Sequence, residues 1–198
     1  MGAGTVFLRF LALIFTDDNI LYIGGVGDTQ YNNENAMSSV HFKSINSNKT
    51  CYIKSLDYGL SSHASAVTPI GVITCGGISP FLETRKKCFR LSNQNTWESF
   101  PSMNKNHDSF LSPQSFQMIV LGDILVAYDS SYSSVAQNYI SIEKINWRDG
   151  DNWESIDTSS SYWNDIPSYG SCVTKWSEEE IIIIGGQNPV SNTQNQPP

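Results

Sequence analysis

Charge is scarce in this chain. Asp, Glu, Lys and Arg make up 16% of its 198 residues, against about 25% in an average domain. Basic residues are the scarcer half, 12 against 19 acidic, for a net charge of −7. Nucleic acid is set aside as a partner on that ground, since no basic stripe is present to displace counterions from phosphates. The run Arg85-Lys86-Lys87 is read as a solvated strand edge, where charge discourages edge-to-edge pairing. Long apolar runs are missing too. The stretch Val6 to Phe15 is broken by Arg9 and is too short to span a membrane. It has no basic leader and no small-residue cleavage pair before Thr16-Asp17-Asp18, so it reads as a strand and not as a secretory signal.

The side chains of common chemistry are equally sparse. Only three histidines occur (His41, His63, His107), and the four cysteines (Cys51, Cys75, Cys88, Cys172) contain no CxxC and no His at metal spacing. No metal site and no cofactor are expected. Free thiols in a reducing, cytoplasmic compartment are the reading taken. Cys75 and Cys88 can also face each other across neighbouring strands, and a disulfide there would place the protein outside the cell. No Gly-x-Ser-x-Gly elbow is present. Gly24-Gly25-Val26-Gly27 leads into Asp28-Thr29-Gln30-Tyr31 and not into a helix, so it is not a phosphate loop. No catalytic residue is assigned, and the chain is read as non-enzymatic.

What is present is a repeat. Ile20-Leu-Tyr-Ile-Gly24-Gly25 returns as Ile70-Gly-Val-Ile-Thr-Cys-Gly76-Gly77 and again as Ile181-Ile-Ile-Ile-Gly185-Gly186. Between the last two lies Asp123-Ile-Leu-Val-Ala127-Tyr128, with Ala127-Tyr128 in the place of the glycines. A beat of about fifty residues marks a repeat architecture. Short β-branched runs bounded by turn residues are buried strands, and aromatics at 12% with abundant Ser, Asn and Gly suit an all-β fold. Alternating segments follow each glycine pair: Ser38 to Ile45, Lys87 to Leu91 and Asn138 to Ile145. Each is returned after a turn, the last through Arg148-Asp149-Gly150 into Trp153, an Asp-Gly hairpin signal.

These motifs resemble the kelch repeat. Gly76-Gly77, then Cys88-Phe89-Arg90, Trp97, Pro101, Met103 and His107 follow the kelch order, and Trp153 repeats the Trp97 position. The resemblance covers about residues 10 to 187. It implies an all-β, kelch-type β-propeller, an incomplete ring of four-stranded antiparallel blades. Repeats fall at about 10–62, 63–108 and 109–168, with a half repeat at 169–187 and a disordered tail at 188–198. The first repeat has Cys51-Tyr52 where the tryptophan belongs. Gly24, Gly25, Gly76, Gly77, Gly185 and Gly186 are assigned to close backbone approach between blades, and Trp97 and Trp153 to filling the wedge between them. Three and a half repeats fall short of the usual four to eight blades. The reading taken is a fragment or truncated relative of a longer kelch protein; the alternative is a ring completed by another chain, and an open edge of this kind favours self-association.

The kelch resemblance also implies a protein-binding module that uses the loops between strands. Candidate binding residues are Tyr31, Phe81, His63, His107, Tyr132, Tyr162 and Trp163, the two histidines being read as occupying matching places in successive repeats. Aromatic side chains on loops suit an interaction surface. The partner is an unidentified protein. Two alternatives stand beside this reading: a fragment of a kelch-type propeller enzyme acting on sugars, and a secreted kelch module.

Overall fold

The computed structural model describes residues 8–9, 12–16, 18–27, 36–47, 49–79, 86–107, 116–133, 137–159 and 169–187. Among the described residues there are strands and no α-helix. The first four-stranded antiparallel sheet orders β2 (Ala12–Thr16), β3 (Asn19–Ile23), β5 (Val40–Ser44) and β6 (Thr50–Ile53). The second orders β7 (Ala64–Thr68), β8 (Gly71–Cys75), β9 (Cys88–Leu91) and β10 (Trp97–Phe100). The third orders β11 (Phe116–Leu121), β12 (Ile124–Ser133), β13 (Gln137–Asn146) and β14 (Glu154–Ile156). A fourth, two-stranded sheet pairs β15 (Tyr169–Lys175) with β16 (Ile181–Gln187), and β1 (Leu8–Arg9) pairs with β4 (Val26–Gly27).

Each sheet is a simple up-and-down meander, and the first strands of successive sheets are neighbours: β2 beside β7, β7 beside β11, β11 beside β15. That arrangement is propeller-like. It also explains the sequence pattern, because the second strand of a sheet stacked on both sides needs apolar residues on both faces. The forward face of the first sheet (Leu21, Ile23, Val40) packs on Val72 and Trp97 of the second. The forward face of the second (Ala66, Ile73, Cys75, Cys88) packs on Leu125, Ala127, Ile145 and Trp153 of the third. Val126, Tyr128 and Ile142 in turn pack on Val173, Ile181 and Ile183 of the fourth. Each such Ile or Leu removed from water stabilises the fold by about 1.5–3 kcal/mol.

Register corrects one sequence reading. Ile23 pairs with Val40, Cys75 with Cys88 and Tyr128 with Ile142, and all six lie on forward faces. Tyr128 is therefore the counterpart of Ile23 and Cys75, the residues before the glycines. The positions of Gly24-Gly25 and Gly76-Gly77 are taken in the third sheet by Asp129-Ser130, not by Ala127-Tyr128. Apolar pattern alone misplaced the alignment by two residues, one full period of a strand, so the faces still matched.

Trp97 and Trp153 each pack in a joint between sheets and make a polar contact there. Trp97 Nε1 donates to the Lys54 carbonyl of the preceding segment, and Trp153 Nε1 donates to the Pro101 carbonyl, both at 2.8 Å. The cysteine reading needs correction as well. Cys75 and Cys88 form a disulfide inside the second joint, with Cα atoms 4.1 Å apart, and only Cys51 and Cys172 are free thiols, both exposed.

Candidate functional site

The diglycine level of the sheets is where polar chemistry gathers. All six of the repeat glycines have positive φ, from 60° at Gly24 to 104° at Gly25, a conformation open to glycine at no steric cost. Close approach is a second requirement. A Cβ on Gly24 would stand 2.3 Å from the Leu60 carbonyl oxygen and 3.0 Å from His63 Cε1; on Gly76 it would stand 2.6 Å from both the His107 carbonyl oxygen and Phe116 Cε1. Main-chain bonds repeat the relationship, Gly25 N–H to Leu60 O (2.8 Å) and Gly77 N–H to His107 O (2.8 Å).

These contacts separate the two histidines that the sequence places together. His107 corresponds to Leu60, since both carbonyls receive the second glycine of the preceding sheet. His63, the residue before β7, corresponds to Phe116, whose ring stands against Gly76 as the His63 ring stands against Gly24. Neither histidine is on an exposed loop: His63 is 6% exposed and His107 is fully buried.

His107 sits in a polar clasp between the second and third sheets. Its Nε2 lies 2.8 Å from Glu143 Oε1, and its Nδ1 faces Asp129 Oδ2 at a longer 3.4 Å. The imidazole stacks on Phe116, with centroids 5.1 Å apart. Glu143 also accepts from the main-chain N–H of Asn104 (2.7 Å) and of Lys105 (2.9 Å). Burial by itself would lower the His107 pKa, but hydrogen bonding to Asp129 and Glu143 and their negative charges outweigh it and the pKa is raised. Burial would raise that of Glu143, and the bonds from His107, Asn104 and Lys105 outweigh it in the other direction. The His107 imidazole and the Glu143 carboxyl thus each favour the charged form of the other.

His63 is the opposite case. Burial lowers its pKa to about 4, only partly offset by the Ile23 carbonyl. Neither ring nitrogen makes a hydrogen bond of normal geometry. At neutral pH it is an uncharged ring filling the space that Phe116 fills one sheet later.

The third-to-fourth joint uses hydroxyls. Ser171, opposite Gly185, corresponds to His63 and Phe116. Tyr128 Oη and Ser171 Oγ are 3.0 Å apart, and Ser130 Oγ is 3.4 Å from the same hydroxyl. A small residue on one side thus accompanies side chains on the other: Ser171 with Asp129-Ser130, an aromatic or imidazole ring with Gly-Gly.

The sheet order brings none of the aromatic binding candidates into a described site. Tyr31, Phe81, Tyr162 and Trp163 lie outside the described residues. Tyr132 is on β12 as backbone, paired with Asn138, but its side chain is outside them as well. Sequence reasoning missed Asp129 and Glu143. Glu143 follows Ile140 and Ile142, which alternate on the opposite face of β13, and alternation assigns such a residue to a wet face. The available signal was a charge in the middle of a strand expected to be covered on both sides, which must then be paired.

Beyond the clasp, the described residues form an open groove of about 470 Å³ along β14, lined by Lys105, Ile140, Ser155, Ile156 and Asp157 among others. Asp157 is held there by the Ser159 N–H at 2.9 Å. Among the described residues no group of His, Cys, Asp and Glu is placed to hold a metal ion, and no helix is long and apolar enough to cross a membrane.

Geometry of this kind defines a class, an all-β protein of antiparallel sheets in propeller-like order. Comparison agrees at that level. A solved structure described as "Structure of YjhT" is similar with a TM-score of 0.63 at 11% identity, over 84% of this chain and 56% of that one. The likeness shows the fold alone, and the chain spans little more than half the length of that structure. No protein-family model and no curated protein matches the sequence.

Proposed function

We propose that the chain is a kelch-type propeller module that binds a partner protein through the rim where the diglycine strands end, without catalysing a reaction. One observation carries this reading: β12 and β13 continue past the diglycine level as a paired hairpin, Ser131–Ser133 against Gln137–Tyr139. At about 3.3 Å per residue this arm projects roughly 10 Å beyond the sheets. Rigid scaffolds that present protruding connections at one rim are a common basis for recognition. The ionisable cluster supports binding over catalysis. His107, Asp129 and Glu143 are buried in a joint, and Glu143 also accepts from the main chain of Asn104 and Lys105, an arrangement suited to holding sheets together.

The reading also favours an oxidising compartment over the cytoplasm, because the Cys75–Cys88 bond is buried in the core of a joint. Mapping thiols by mass under non-reducing conditions tests that part.

The binding reading is tested by affinity capture with the intact chain and with a variant whose 131–139 arm is shortened to a two-residue turn. Thermal melts first establish that the two are equally folded. A defined partner held by the parent and lost by the variant supports the reading. Equal retention by both, or turnover of sugars by the isolated chain, would sink it.

A further inference from the structure

The third sheet is paired unevenly. β13 is laddered to β12 along its whole length, Gln137 to Asn146, but to β14 only from Ile142 to Lys144. Among the described residues, the stretch from Gln137 to Ser141 therefore has a neighbouring strand on one side alone. Register would place Thr158 opposite Ile140, as Ile156 stands opposite Ile142. There the ladder breaks and a side chain stands in for it: Thr158 Oγ1 donates to the Ile140 carbonyl at 2.8 Å. That bond also fixes direction. The Ile140 carbonyl points away from β12, and at the two-residue period of a strand the main-chain groups of Asn138 do so as well.

The groove of about 470 Å³ lies at this break and straddles the edge of the sheet. Ile140 and Ile156 line it from the face that packs toward the fourth sheet. Ser155 and Lys105 line it from the opposite face, beside Asn104 and Glu143. Lys105 and Asp157 bring one charge of each sign, which does not suit a multiply charged anion.

We propose that this groove takes an extended peptide segment of the partner, which adds to the outer edge of β13 in line with β14. Strand addition draws affinity from main-chain bonds and selectivity from alternate side chains. Here both sets of side chains have a defined environment. One set falls on Ile140 and Ile156, the other on Lys105, Ser155 and Asp157, so the segment recognised alternates apolar and polar residues. The groove sits at the foot of the 131–139 arm, and arm and groove present one continuous edge of β13. The inference rests on the rim-binding reading and adds to it the chemistry of the partner.

The test selects from a displayed library of random short peptides on the immobilised intact chain, and measures the selected sequences as synthetic peptides by calorimetry. Two variants accompany the parent. Asn138→Pro removes an outward N–H, a change that an edge position tolerates, and Ser155→Trp fills the groove. Thermal melts show whether each folds as the parent does; if the proline variant melts early, the tryptophan variant decides. Selected peptides are expected to alternate apolar and polar residues and to slow amide exchange at Asn138 and Ile140. They should bind each folded variant more weakly by about tenfold, the weight of one or two main-chain bonds. Failure to select any peptide overturns the proposal. So does a peptide that binds the folded variants as tightly as the parent, or one that leaves those two amides unprotected. A partner protein lost on shortening the arm but still held by the folded variants would leave rim binding standing and remove strand addition alone.

Discussion

His107 and Glu143 meet across the second joint with Nε2 and Oε1 2.8 Å apart, both side chains fully out of solvent. A buried ion pair is weak support for net stability when both partners are present, yet removing one leaves the other charge stranded at a cost of about 3–5 kcal/mol. Glu143→Gln is therefore expected to lower the urea midpoint by a loss of that order near neutral pH. The pH dependence has a definite sign. His107 has its pKa raised in the folded state, so its contribution is complete below the ordinary value of 6.5 and is lost as pH rises through the folded value. Glu143 has its pKa lowered, so its contribution is complete above 4.5 and is lost as pH falls through the folded value. Urea melts followed upward in pH from 6.5 should show the parent losing stability and Glu143→Gln losing much less. Parallel curves would show that the imidazole is not protonated in the fold.

His63 predicts the reverse trend at acid pH. Its folded pKa of about 4 lies below 6.5, so the unfolded chain binds the proton first and stability falls as pH drops from 6.5 toward 4. One neutral histidine of this kind accounts for about 3 kcal/mol over that interval. Phe116 fills the equivalent place against Gly76, so His63→Phe should fold normally, match the parent near neutral pH and be clearly more stable near pH 5. Equal acid sensitivity of parent and variant would show that this ring is not the group being titrated.

The glycine pairs are not equally demanding. Gly76 combines a φ of +67° with a Cβ position 2.6 Å from the His107 carbonyl oxygen and the Phe116 ring, whereas at Gly185, with φ +73°, a Cβ meets nothing within 4 Å. Left-handed backbone costs a β-carbon about 1–2 kcal/mol, and that strain is all Gly185→Ala should lose. Gly76→Ala adds a clash with main chain that cannot be relieved by rotating a side chain, so it should cost at least twice as much. Paired thermal melts check the ratio; similar losses would mean the close approach is softer than its geometry.

Much of this fold was legible because its main signal is periodic. The diglycine strands and the alternating third strands follow from residue type and spacing, and the four-stranded antiparallel sheets agree with the all-β reading. Three things were not legible. Ala127-Tyr128 was aligned with the glycines because a slip of two residues preserves which face each side chain takes; only pairing shows that Asp129-Ser130 stands there. His63 and His107 looked equivalent because both precede a strand, but Phe116 comes nine positions after His107 while His63 comes three after Leu60, which shifts the match. Glu143 was not singled out because alternation cannot distinguish a wet face from one covered by a neighbouring sheet. Covalent state was left open by spacing as well. Cys75 and Cys88 were seen to be able to face each other, and it is their position on opposite strands at one register that joins them.

That disulfide occupies a place filled by apolar pairs in the sheets on either side, Ile23 with Val40 and Tyr128 with Ile142. The bond closes a short loop, with a sequence separation of 13, for which chain entropy assigns about 3 kcal/mol. Reducing the protein, or making Cys75→Ala with Cys88→Ala, should lower the melting temperature by the loss of that constraint, and the alanine pair should lose packing in addition. Restoring volume separates the two effects. Cys75→Ile with Cys88→Val copies the first sheet, and it should recover the packing part but not the entropic part, placing its melt between the alanine pair and the oxidised parent. Addition of a reductant should shift the parent toward this variant and leave the variant unmoved. A parent whose melt ignores reductant would mean that the bond contributes nothing beyond the two sulfur atoms already buried in the joint.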